Sequence, residues 1–493
     1  MSLTSNLIDL ISTMTGPEKR HFKRWLHSSD QTNQYVQLFD MLAKKSPPSE
    51  AELKTEFPKL TAPGITNLKN YLHSLILRAL SDFHRKGSVK IDLRGRLNEI
   101  EVMVTKGFLD QGLVALKKLR KRAYELEALS IAYLSLEQQE NIYARSGLDK
   151  VSPNDWEKLY HEKRAVASKV GLIDRIRQLE RRILMLNSIK GAIARSTEMD
   201  DQVDVIVDQL PTEDEMDAAP FDAQFRYHQV LATAARMKLN HDVEVVHFQS
   251  IVDLINDHPL IKKSYYYEYY PVAVHNLINA CFLSRNLEPV ADLLEELEGY
   301  SSDHKVLHAR NFYYSFHNRM AFNKYSGNYQ KTVELHAIKV DELTAHEQYL
   351  NAPALFHIHF TLAEAYFWIG EYREASDQLK IIVEDHDMIE NEDLGSFARF
   401  LMILIHFEKG DLEYLEHLIG VCERYLKKKS IMHHTEKELL AFFRKIHRKG
   451  KAPLESEWDT LKLKLEDLSS NDYEKNLGHT FDVLGYVQSK LNQ

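Results

Sequence analysis

Apolar residues recur along this chain at intervals of three and four, the spacing of one face of an α-helix. Leu68, Leu72, Leu75, Ile76, Ala79, Leu80 and Phe83 form one such stripe, and Gly87 is placed to stop that helix. Two earlier starts carry capping boxes, Thr15-Gly-Pro-Glu18 and Ser49-Glu-Ala-Glu52. Apolar positions follow each, Phe22, Trp25 and Leu26 after the first, Leu53 and Phe57 after the second. From about residue 95 the helices lengthen. Ser152-Pro-Asn-Asp155 opens one expected to run towards Ile189, and within it Leu172, Ile176, Leu179, Ile183 and Leu186 have heptad spacing. Two heptads are short for a coiled coil. A helix packed on an antiparallel neighbour needs the same seam, and that is the reading preferred.

After residue 222 one pattern repeats. An apolar helix ends, a small or polar residue makes a tight break, an apolar or aromatic residue follows, and a second helix starts. The clearest copy is Leu362-Ala363, Ala365-Tyr366, Gly370, Tyr372, Ala375 and Leu379. Breaks are expected at Asp242, Arg285, Gly327, Gly370 and Gly410, so the steps are 43, 42, 43 and 40 residues. An isolated early copy has Gly107, Leu109 and Leu116. This pattern resembles the tetratricopeptide repeat, although that repeat is ordinarily about 34 residues long. The resemblance implies an all-α fold, a right-handed TPR-like superhelix with a helical N-terminal region and C-terminal capping helices.

The expected organisation is an N-terminal helical region over 1–94 and a long-helix basic region over 95–195. An acidic connection or hinge follows over 196–222, with one short helix around Val203 to Leu210. The repeat array covers 223–452 and the capping helices 453–493, the last of them from Asn471 to Leu491.

Composition agrees with this picture. Gly (18) and Pro (13) together make about 6% of 493 residues, roughly half the usual share. Turn-rich β folds and glycine-rich phosphate loops are therefore disfavoured. The net charge of −9 hides a split. Residues 1–195 carry 33 Lys+Arg against 22 Asp+Glu (+11), and 196–493 carry 30 against 50 (−20). Residues 196–222 alone hold ten acidic residues and no basic one. Cys281 and Cys422 form no CxxC pair, which suits a reducing, cytoplasmic setting. No stretch is apolar enough to cross a membrane, and Met1 to Arg20 lacks the basic lead of a secretion signal.

Local chemical motifs are few. There is no P-loop, GxGxxG, GxSxG or CxxC, so no catalytic residue and no cofactor is expected. His161-Glu162 begins like a zinc-protease helix, but Ala165 stands at the second ligand position. His357 and His359, two apart on a helix, point away from one another, and His433-His434 has the same fault. No metal site is expected from these.

Partner binding is the remaining class. By resemblance, the concave face is lined by the first helix of each repeat. The candidates are Phe282, Tyr314, His317, Lys324, Tyr325, His357, Phe360, Glu364, Phe367, Trp368, Phe400 and Phe407. Nine of the 20 lining positions are aromatic, which suits either a groove for a protein or peptide or rings buried between repeats. Tyr265-Tyr-Tyr-Glu-Tyr-Tyr270 suits either a groove mouth or a packing cluster. The function expected is a non-enzymatic interaction scaffold or regulatory adaptor. A nucleic-acid-associated regulator is the alternative. It would use the basic front, chiefly Lys117, Lys118, Arg120, Lys121, Arg122, Arg181 and Arg182. A third possibility is that the basic front contacts the acidic back.

Overall fold

The computed structural model describes residues 3–27, 32–44, 48–85, 87–147, 150–190, 196–264, 268–302, 304–384, 392–429, 432, 434–449, 454–469 and 481–492. Among these the regular structure is helical throughout, with no strand. No helix is long and apolar enough to cross a membrane. The chain divides into two compact units. One comprises 1–168 with 263–265, the other 169–262 with 266–493, and the division falls inside a long helix.

The first unit opens with α1 (Leu3–Thr13), α2 (Gly16–His27), α3 (Thr32–Leu42), α4 (Glu50–Glu56) and α5 (Ala62–Arg85). Both capping boxes form. The Thr15 N–H donates to Glu18 Oε2 (2.6 Å), and at α4 the Glu52 N–H donates to Ser49 Oγ while the Ser49 N–H donates back to Glu52 Oε2. The apolar stripe of α5 buries Leu68, Leu72, Leu75, Ile76 and Ala79 with Leu7, Phe22, Leu38 and Phe39. Three antiparallel helices follow: α6 (Val89–Thr105), α7 (Leu109–Glu125) and α8 (Leu129–Ser146). They lead to α9 (Pro153–Lys190), whose start is capped by Ser152 accepting from the Asp155 N–H.

In the second unit the heptad-spaced half of α9 meets α10 (Thr197–Val207) and α12 (Phe221–Met237). Leu179 and Ile183 share a core with Met199, Val203 and Ile206 of α10 and with Val230, Ala234 and Met237 of α12. The seam therefore packs on neighbouring helices. The acidic segment 196–222 contributes two helices, α10 and α11 (Glu213–Met216), where one was expected. Its charge is used locally: Arg177 meets Asp222 at 3.2 Å, and Lys238 meets Asp204 at 2.5 Å.

Next come α13 (His241–Asn256), α14 (Pro259–Ser264), α15 (Tyr270–Leu283), α16 (Val290–Glu298), α17 (Lys305–Tyr325), α18 (Tyr329–His346), α19 (Ala352–Trp368), α20 (Tyr372–Glu384), α21 (Glu392–Glu408) and α22 (Leu412–Lys429). They pair as hairpins α12/α13, α15/α16, α17/α18, α19/α20 and α21/α22, each packed on the next. Ala363 and Ala375, both wholly buried, let α19 and α20 approach closely. After them come α23 (His434–Lys449), α24 (Glu455–Ser469) and α25 (Val483–Leu491). Residues 471–480 of the expected last helix lie outside the described residues, as do Tyr265 to Tyr267 and His433. Tyr270 is buried at the start of α15 and donates to Glu296 Oε1 at 2.6 Å.

The hairpins share one turn. At Gly370 (φ +85°) the N–H bonds to Phe367 O, and the Glu371 N–H bonds back to Tyr366 O. This double closure is the Schellman motif, and it needs a left-handed residue at its centre. The same pair of bonds closes the turns at Gly107, Glu127, Leu239, Arg285, Gly327 and Gly410, all with positive φ. Four of the five expected breaks in the array lie at these residues. The fifth is displaced: Asp242 lies within α13, and the left-handed residue is Leu239 (φ +57°).

Candidate functional site

The first helices α15, α17 and α19 stand side by side, with α17 between the other two. One polar strip crosses all three. The rings of His275, His317 and His357 follow one another with centroids 6.4 and 5.8 Å apart. Tyr314 stacks on His275 at 4.4 Å, and Tyr313 stacks on His317 at 5.4 Å. The Asn318 side-chain amide, wholly buried, lies 2.9 Å from His275 Nδ1. His317 Nδ1 is buried and finds no hydrogen-bond partner among the described residues.

Two turns along, Lys324 Nζ lies 2.6 Å from Glu364 Oε2. Both side chains are largely withdrawn from water, so this is a buried ion pair. Burial pushes the Glu364 carboxyl up, and Lys324 opposes it. Burial is the largest influence on the Lys324 ammonium and lowers it, but the facing carboxylate together with Tyr325 and Tyr329 raises it overall. Burial also holds the strip's histidines neutral. His275 is lowered to about 3 by burial, with Arg236 adding to it, and His357 to about 4 by burial and then by Lys324. His317 is driven well down by burial and by its two neighbouring imidazoles.

The sequence candidates divide by burial. Phe282, His317, Phe360, Glu364, Phe367 and Phe400 are buried, between 2% and 9% exposed. Tyr314, Lys324, Tyr325, His357, Trp368 and Phe407 keep a partial surface. Phe282 stacks on Tyr325 at 4.8 Å. Phe360 and Phe400 sit in the large core of the last hairpins. Phe407 packs on Trp458 of α24 at 5.8 Å. Trp368 lies between Tyr329 and Phe481, with centroids 5.7 and 6.1 Å away, while Tyr486 of α25 packs on Phe367. Tyr486 also donates to Glu408, and Lys490 pairs with the same carboxylate. The segment 481–491 thus adds Phe481 and Tyr486 to the α19 side of the strip. Half of the candidate rings fill the spaces between helices, and the other half keep a partial surface.

The basic candidates are also mixed. On α7, Arg120 is buried, donating to Gln139 and facing Glu162 of α9, and Arg122 pairs with Glu125. Lys117, Lys118 and Lys121 are exposed. On α9, Arg182 donates to Gln209 at 2.9 Å, and Arg181 is exposed.

One cluster had no local signature. The α17/α18 hairpin brings His308, Glu342 and His346 together, with one ligand atom from each within 4.8 Å of the others. His308 is 34 and 38 residues away from its partners, beyond the reach of any spacing rule.

Comparison with family models, with curated proteins and with solved structures finds no match.

Proposed function

We propose that this protein is a non-enzymatic interaction scaffold, a TPR-like superhelix that binds a protein or peptide through the strip on α15, α17 and α19. The observation that carries this reading is the partly open row Tyr314, Lys324, Tyr325, His357 and Trp368 on consecutive first helices of a repeated hairpin. Tyrosine and tryptophan are among the side chains enriched in protein-binding hot spots. Two buried, unpaired thiols fit a reducing compartment such as the cytoplasm.

The test is affinity capture from the native cell with three full-length forms. They are the unaltered chain, a Tyr314→Ala/His357→Ala double variant, and a Lys117→Glu/Lys118→Glu/Lys121→Glu triple variant. The expected result is a protein partner lost from the double variant and kept by the triple. Co-purifying nucleic acid, released by salt and lost only from the triple variant, would overturn the proposal in favour of the nucleic-acid reading.

A further inference from the structure

We infer that His308, Glu342 and His346 form a binding site for one divalent transition-metal ion of the zinc class, at the open end of the α17/α18 hairpin.

The argument starts with the turn. His308 and His346 each lie 19 residues from Gly327, one before it and one after it. An antiparallel hairpin folded at Gly327 therefore sets them level. Glu342 and His346 are four apart on α18 and share a face. His308, in the first turns of α17, looks across at both. The imidazole centroids of His308 and His346 are 5.1 Å apart and nearly perpendicular (68°), so the rings do not stack. Phe312, one turn after His308, packs on His346 at 5.1 Å and limits where that ring can go.

The donor set is chemically specific. Two imidazoles and one carboxylate suit zinc, cobalt or nickel, whereas calcium and magnesium take oxygen ligands. Three protein ligands leave a fourth position for water. Donors bound at about 2.0–2.1 Å in a tetrahedron lie about 3.3 Å apart. The three ligand atoms begin within 4.8 Å, so side-chain rotation of an ångström or so closes the site. All three residues are half-buried and retain that freedom. Lys339 Nζ rests 2.7 Å from Glu342 Oε2, which leaves Oε1 for the ion. The ion would tie the start of α17 to the end of α18, closing the hairpin at the end opposite Gly327.

The test uses the full chain, stripped with chelator and titrated with Co2+ and then Zn2+. The expected result is one bound equivalent and a visible cobalt spectrum of low coordination number, displaced by zinc. Glu342→Gln and His346→Ala should each weaken binding at least tenfold, and His161→Ala, whose ring is exposed on α9, should leave it unchanged. Melting of each metal-free variant checks its fold. If His346→Ala is misfolded, the near-isosteric Glu342→Gln and a His308→Asn variant decide. No binding of either ion, or stoichiometric binding that these variants leave intact, overturns the inference.

Discussion

The strip of neutral histidines makes the second unit acid-labile, and His357 gives the cleanest measure. An imidazole held near 4 in the folded chain and near 6.5 in the unfolded one binds fewer protons when folded. Its contribution to stability is fully present above about 6.5. It falls as the pH drops and is gone below about 4. Between pH 7 and pH 5 the two values give a loss of about 2 kcal/mol. His357 keeps some surface in water, so screening brings the expected figure to about 1–2 kcal/mol. Other histidines, the half-buried His228 and His247 among them, are also lowered by burial, so the comparison must be differential. The assay is urea unfolding of the unaltered chain and of His357→Gln at half-unit steps from pH 7 to pH 5, read by helical circular dichroism. The gap between the two stabilities should shift by about 1–2 kcal/mol in favour of the variant as the pH falls. Parallel curves would show that His357 is charged, or freely solvated, in the folded chain, and would refute the reasoning.

Three further predictions concern single residues. Gly370→Ala should cost about 1–2 kcal/mol in chemical unfolding from the left-handed backbone alone, because a Cβ there meets no atom within 4 Å. Arg285→Gly should not destabilise, since relief at φ +61° offsets its lost contact with the Tyr325 ring. Lys324→Met should cost about 3–5 kcal/mol by stranding the Glu364 carboxylate. The Lys324→Met/Glu364→Leu double variant should recover most of that in the same measurement.

The helices and most of the turns were legible from residue type because their causes are local. A left-handed turn residue selects for glycine, so Gly327, Gly370 and Gly410 announced themselves within a periodic apolar background. Leu239 and Glu127 occupy the same backbone state without the residue that marks it. Near the first of these, the break expected at Asp242 lies three residues too far along the chain. The strip was legible only as a recurrence of rings. Whether Phe360 meets a neighbouring helix or water depends on how one hairpin packs on the next, and that is not written in the spacing of either. Burial of the Lys324–Glu364 pair has the same non-local origin. His308, Glu342 and His346 are a stronger case, because their meeting depends on the length of two helices measured from a common turn.

The repeated hairpin with its doubly bonded turn also has a mechanical meaning. Consecutive hairpins from α12/α13 to α21/α22 rest on one another, so pulling at α12 and α22 loads them in series. Such a chain yields unit by unit. One released hairpin of 40 to 43 residues adds on the order of 140 Å of length at about 3.3–3.6 Å per residue. The length released on pulling would then be counted in hairpins.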